Sequence, residues 1–398
     1  MPYKQDHIFG KLTNDAGIRV ALPIFLASCF YVFCLYFWLG GTFVLNNHAQ
    51  MVPLRLPAWD EMKWWLGRPD TGWYFSIMED GYKAAQYSST SQANWAFFPA
   101  YPLLVRFLSK GASREGTLAI GWFISLVFYG MATWLFCLLL LMDYTRETVT
   151  RSLILLCFYP FAFSLMTFGP DSLLLLSVCA AIYFGRKENW LLAGLSAGIA
   201  SATRIQGVLL VPCLLYMYFR EKHFQWRRID RSCLGLLIAP SGLIAFALYL
   251  WRLTGNPLAF AGIQAAWGNE IAYPFAFLVH FLQEPALVAQ SGWDPALFSV
   301  VATCALLPLL FWSWKSGQVP VEYSIFFSLQ FLVLACRTSA LGNLRYITGC
   351  FPFFLILGIV AKRQMVFSLL LALFAGFLGI FAVLFSSSHR LGYNFVIF

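Results

Sequence analysis

The chain has 398 residues, of which 60% are hydrophobic and 11% charged, against roughly 45–50% and about 25% in an ordinary soluble domain. About 239 apolar residues would fill about ten or eleven bilayer spans at roughly 20 residues each, and the mean hydropathy is +0.69. A soluble enzyme, a secreted disulfide scaffold and a nucleic-acid binder are excluded. The net charge of +9 reads as the Lys and Arg excess of cytoplasmic loops rather than the mark of an acidic partner.

Lipid offers backbone polar groups no partner but one another, so the spans are predicted as helices. The N-terminus is polar, and the first apolar run, 20–45, is too long for the core of a cleavable signal peptide. A polar and aromatic segment follows over 46–115, then a second span over 120–142. Residues 152–218 hold about four shorter apolar pieces, interrupted at Gly169-Pro170-Asp171, at 186–189 and at Thr203-Arg204. Another span covers 234–250, followed by a second polar and aromatic segment, 254–293. Apolar runs at 295–314, 323–336, 346–360 and 366–385 complete a polytopic all-α protein with about eleven transmembrane helices.

Orientation follows from the basic residues. With Lys4, Lys11 and Arg19 inside, the turns carrying Arg146/Arg151, Arg186/Lys187, Lys315 and Lys362/Arg363 also fall inside. So does the cluster Arg220, Lys222, Arg227, Arg228 and Arg231. Segments 46–115 and 254–293 then lie outside, as a long first external loop and a second one. No internal repeat or linker is visible, so residues 1–398 are read as one membrane domain. The ten cysteines lie in or beside apolar runs without a Cys-x-x-Cys pair, and the five histidines are scattered. Neither set reads as a metal site or a disulfide framework.

The residues with chemistry to offer sit in the first loop. Asp70-Thr71-Gly72-Trp73-Tyr74 runs on to Glu79-Asp80-Gly81-Tyr82, and Phe97-Phe98-Pro99-Ala100-Tyr101-Pro102 follows. Aromatics here serve as interface anchors in the simplest reading. Carboxylates beside so much apolar surface ask for more, and Asp70, ahead of a Gly and two aromatics, is the candidate base. Farther on, Arg204 and Arg345 interrupt apolar runs on the outer side, and a charge so placed is a functional candidate. Snorkelling, or an ion pair with Asp171, is the alternative for both.

The pattern Asp-x-x-Trp-Tyr-x-x-Ile-x-x-x-Gly-Tyr, then Phe-Phe-Pro-x-Tyr-Pro, resembles the first external loop of the PIG-V-like mannosyltransferases. Tyr159-Pro160 with Pro170-Asp171-Ser172-Leu173, Thr203-Arg204-x-x-Gly207, and Gly255-Asn256-Pro257-x-x-Phe260 with Gln264 and Trp267-Gly268 are similar to further motifs of that family. Arg345-Tyr346 ahead of Pro352 completes the series, five motifs in order over residues 70–352. Pro69 stands where the family prefers Trp, Asn256 where Asp is usual, and Asp171 where Glu is usual.

This resemblance implies a GT-C glycosyltransferase fold and a hexosyltransferase, expected to be a mannosyltransferase, acting at the external face. Its donor would be a polyprenyl-phosphate-linked sugar of the dolichyl-phosphate-mannose type, and its acceptor a lipid- or glycan-linked hydroxyl attacked with inversion. Asp70 would be the catalytic base, with Asp171, Glu79 and Asp80 as supporting acids. Arg204 and Arg345 would bind the donor phosphate, since Arg offers a planar bidentate fork. Trp73, Tyr74, Tyr82, Gln264, Trp267 and Tyr346 would bind sugar or acceptor. No Gly-rich phosphate loop is present for a nucleotide sugar.

No cofactor is required by this reading. A divalent cation stays open, because Asp60, Glu61, Asp70, Glu79 and Asp80 carry the oxygens that would hold one, without a fixed ligand geometry. The partners are donor, acceptor and membrane lipids. A bacterial plasma membrane is expected ahead of an ER membrane. The rival class is a transporter or lipid flippase with the same charges lining a path, for which an internal repeat is the missing feature.

Overall fold

The computed structural model describes residues 7–36, 66–67, 70–283, 295–340 and 342–387. Asp60, Glu61, Pro69 and the end of the second loop (284–293) therefore lie outside the described residues. Within them the regular structure is helical, apart from an isolated bridge between Ile271 and Arg337.

After α1 (His7–Cys34), the first loop supplies α2 (Thr71–Glu79) and α3 (Ala100–Leu108). Next come α4 (Arg114–Leu140), α5 (Arg146–Cys157), a 3-10 turn at Ala162–Met166 and α6 (Asp171–Arg186). Then follow α7 (Trp190–Thr203), a 3-10 turn at Ile205–Leu209, α8 (Leu210–Glu221) and α9 (Ser241–Thr254). A 3-10 turn at Ile263–Trp267 leads to α10 (Ala276–Gln283) and α11 (Pro295–Lys315). The last helices are α12 (Val321–Ala335), α13 (Asn343–Ile347), α14 (Phe351–Val360) and α15 (Gln364–Ser387). Side-chain caps mark several starts: Ser113 accepts from Gly116 N, Thr145 from Thr148 N and Asn189 from Leu192 N.

Among the described residues, four helices are long and apolar enough to cross a bilayer: Asp15–Cys34 of α1, α4, Leu297–Lys315 of α11 and Gln364–Val383 of α15. The turn Arg231–Leu237 with α9 makes a fifth if that pair, bent by 45°, is one span. Phe30, Phe123, Phe311 and Leu369 on these helices stay 59–69% exposed. So much outward apolar surface calls for lipid around it. The chain is an all-helical membrane protein.

Helix length does not reproduce the eleven spans counted from apolar runs. Helices α6, α7 and α8 have 16, 14 and 12 residues, or about 24, 21 and 18 Å against a hydrocarbon core of roughly 30 Å. The expected interruptions are what shorten them. Pro170 caps α6, Asn189 caps α7, and Arg204 is extended (φ −156°, ψ 156°) between α7 and the next turn.

Helix α6 also separates two ionic clusters. At its Arg186 end, that guanidinium pairs with Asp143 (2.6 Å) and Glu322 (3.4 Å), and Arg220 holds Glu322 at 2.6 Å. Tyr144 donates to the Gln318 carbonyl and Lys362 to its side-chain oxygen. Basic turns at Arg186, Arg220 and Lys362 thus meet at one end of the molecule. The Asp171 end of α6 carries the other cluster.

Glu322 is fully buried, while Arg220 is 43% exposed. Glu322→Gln leaves Arg220 without its counter-charge and Arg186 with Asp143 alone, and is expected to cost about 3 kcal/mol, the low end for a broken buried pair. A thermal melt of the purified protein checks this; an unchanged Tm would mean the cluster contributes nothing.

Candidate active site

Four charged side chains form a chain across the Asp171 end. Arg345 donates from Nη1 to Asp70 Oδ2 (2.6 Å) and from Nε to Asp171 Oδ2 (2.9 Å). Arg204 reaches the other oxygen of Asp171 through Nη2 at 2.9 Å. Asp171 and Arg345 are buried, and Asp70 keeps 23% of its side chain exposed. Charges leave water only when paired, and here two positive and two negative groups alternate.

Local structure explains the convergence. The Asp70 carbonyl accepts the first amide bonds of α2, from Trp73 and Tyr74. Its side chain makes no cap bond and is left to meet Arg345. Asp171 opens α6, where the helix dipole favours a carboxylate. Arg204 breaks α7, and the Thr-Arg-x-x-Gly spacing has a steric cause: a Cβ on Gly207 would lie 2.0 Å from the Ala200 carbonyl carbon. Arg345 and Tyr346 ride on the single turn α13, entered through Gly342 at φ 81°, a left-handed conformation suited to glycine.

Around this chain stand aromatic rings. Trp73, one helical turn from Asp70, stacks on Phe97 with 5.8 Å between centroids. Trp267 meets both edge-on, at 5.8 and 6.1 Å, so the two loops join here. Gln264 and Trp267 lie three apart in the 3-10 turn Ile263–Trp267, where positions three apart eclipse. The Gln264 side chain is half-buried and has no protein partner among the described residues. Tyr346 lies under the Arg204 guanidinium at 5.3 Å.

Other candidates lie elsewhere. Tyr74 is buried among Phe97, Tyr101 and Phe168. Tyr82 donates to the Phe97 carbonyl and packs on Phe246 and Tyr249. Glu79 and Asp80 are exposed at the far end of α2, about 13 Å along the helix from Asp70, and Glu79 faces Arg114 at 3.7 Å. Among the described residues no three His, Cys, Asp or Glu side chains converge as a cation site. Both Asp171 oxygens and one Asp70 oxygen face guanidiniums.

Two departures from the motif pattern have local explanations. The Asn256 side chain accepts from Leu258 N at 2.9 Å, a turn-capping bond that Asp and Asn make equally well. At the other, Asp171 in place of Glu, both carboxylate oxygens are taken by arginines.

One residue escaped the sequence reading. Arg337, just past α12, lies over the Tyr346 ring at 4.9 Å, the same ring that Arg204 contacts. Its Nε donates to Asn269 Oδ1 and its Nη1 to Asn343 Oδ1, both at 2.8 Å. The signal was available, since Arg337 ends an apolar run as Arg204 does.

No family model matches the chain, and no curated protein matches it. Solved structures do. Archaeoglobus fulgidus oligosaccharyltransferase in complex with Zn and sulfate aligns at 13% identity with a TM-score of 0.47, covering 92% of this chain and 53% of that one. The apo form of that protein aligns at 12% identity and 0.46, over 92% and 56%. Archaeal oligosaccharyltransferase AglB from the same organism, with an inhibitory peptide and a dolichol-phosphate, aligns at 13% and 0.45, over 92% and 56%. The chain spans about half the length of these structures.

Proposed function

We propose that the protein is a GT-C membrane glycosyltransferase related to the PIG-V-like mannosyltransferases. It would move mannose from a polyprenyl-phosphate donor to a hydroxyl of a lipid- or glycan-linked acceptor. The observation that carries the reading is the Asp70 carboxylate. One oxygen is fixed by Arg345, and the other has no partner among the described residues. It stands at the partly open edge of an otherwise buried ionic chain, beside the Trp73–Phe97–Trp267 rings.

Such an oxygen can take the proton of an acceptor hydroxyl. The freed oxygen attacks the anomeric carbon and forms the glycosidic bond. The bond from that carbon to the phosphate oxygen breaks, and its electron pair leaves with the lipid phosphate, inverting the centre. A positioned base of this kind contributes about 10²–10⁴-fold. Asp171 holds Arg204 and Arg345 in place, while Trp73, Trp267 and Gln264 flank the sugar. The same reading takes 46–115 as the external catalytic loop and sets the protein in a bacterial plasma membrane, site outward, opposite the basic turns.

Gln264→Ala is expected to lower turnover about tenfold, the effect of one lost hydrogen bond in the transition state, with membrane insertion unchanged. A wild-type rate would leave Trp267 as an interfacial anchor and Gln264 without a role. The sugar is tested by offering the purified protein a panel of polyprenyl-phosphate sugars with membrane lipids and identifying products by mass spectrometry. Mannose should be transferred fastest; exclusive use of another sugar would overturn that part of the reading.

A further inference from the structure

We infer that Arg337 and Arg204, both of which lie against the Tyr346 ring, form the seat for the donor's lipid monophosphate, and that Arg345 does not. This deepens the glycosyl-transfer reading and rests on it. Arg345 is committed to Asp70 and Asp171, so a phosphate placed on it would meet two carboxylates, whereas Arg204 pairs with one, through Nη2 alone. Like charges at that range repel strongly in a partly buried site.

Arg337 is different. Its protein partners are two neutral amide oxygens, from Asn269 and Asn343, and no carboxylate pairs with it among the described residues. Asn343 is itself fixed, since its amide nitrogen donates to Thr303 Oγ1 and the Leu334 carbonyl. The guanidinium is therefore held in one orientation while its charge stays uncompensated. Three of its five N–H donors remain for a ligand.

Arg204 brings the second observation. Its Nε is buried without a partner among the described residues, and a buried guanidinium nitrogen left unsatisfied is costly. Both guanidiniums lie against Tyr346, at 5.3 and 4.9 Å from the ring centre. With Arg204, Arg345 and Arg337 against Asp70 and Asp171, the group carries one positive charge in excess. An oxyanion with several acceptor oxygens satisfies the orphaned Nε, the spare Arg337 donors and the excess charge together. Asn269 follows the 3-10 turn of Gln264 and Trp267, which sets this seat beside the proposed sugar pocket.

The test measures binding of a long-chain polyprenyl monophosphate and of the matching polyprenol to the full-length protein in neutral-lipid nanodiscs. Wild type should prefer the monophosphate at least about tenfold, as charged hydrogen bonds require. Arg337→Gln should remove most of that preference without changing polyprenol binding. Asn269→Asp, which pairs Arg337 with a carboxylate and keeps the side-chain volume, should do the same even if Arg337→Gln folds poorly. Undiminished preference in Asn269→Asp, or in a folded Arg337→Gln, would overturn the seat. So would inorganic phosphate competing as tightly as the lipid, which would assign the site to a soluble anion. Transfer activity separates the two readings: a protein that transfers sugar yet shows no Arg337 effect loses only the seat, and one that binds the monophosphate through Arg337 but transfers nothing loses only the reaction.

Discussion

Asp70→Asn is expected to lower turnover at least about a hundredfold, because it removes a base worth about 10²–10⁴-fold. Expression and donor binding should stay near normal. Asn has nearly the same volume, and its amide oxygen can still accept from Arg345 Nη1, so the ionic chain loses a charge but not its geometry. What disappears is the oxygen proposed to take the acceptor's proton. The effect should appear in single-turnover transfer and not in binding of the lipid phosphate. Asp60→Asn should do much less, since no Trp-Tyr follows Asp60 at the spacing that marks Asp70. An Asp70→Asn protein retaining most of its transfer rate would take Asp70 out of the base role.

Asp171→Asn should act on folding and activity together. Asp171 is 3% exposed and binds Arg204 with one oxygen and Arg345 with the other. An amide takes the carboxylate from Arg204 and leaves Arg345 with Asp70 alone, at a cost of about 3–5 kcal/mol by comparison with other broken buried pairs. Arg345 would then be free to swing and pull Asp70 with it. The rate should fall between those of Asp60→Asn and Asp70→Asn, with a lower Tm. Asp171→Glu keeps both oxygens and should recover most of the stability. A variant Asp171→Asn with normal melting and normal transfer would show that the arginines hold their places without it.

Much of this site could be read before any coordinates, and for an identifiable reason. Asp70, Asp171, Arg204 and Arg345 are charges in apolar surroundings, so each demanded a partner or a task, and the pairing of Asp171 with both arginines was foreseeable as the alternative to a phosphate clamp. What stayed hidden were long-range choices. Nothing local says that Arg345 pairs with Asp70, 275 positions away. Arg337 was passed over because it closes an apolar run without belonging to a motif, although its position carries the same physical signal as Arg204. Glu322 was hidden in the same way, since Arg186 and Arg220 had an adequate explanation as orientation signals. The number of spans is not reproduced by helix length among the described residues, on different grounds. Apolar runs measure how much chain is buried in protein or lipid, whereas a span also needs unbroken length, and α14 is apolar because it is enclosed by its neighbours.

Glycosyl transfer is most directly tested by following the donor's own bond. The protein is reconstituted in vesicles with a labelled polyprenyl-phosphate sugar and an extract of membrane-lipid acceptors, and free polyprenyl phosphate is measured against glycosylated product. Transfer predicts equal amounts of both, formed together and suppressed in Asp70→Asn. An intact donor or lipid carried from one leaflet to the other, with no phosphate released by any sugar tried, would contradict the account and make the protein a transporter.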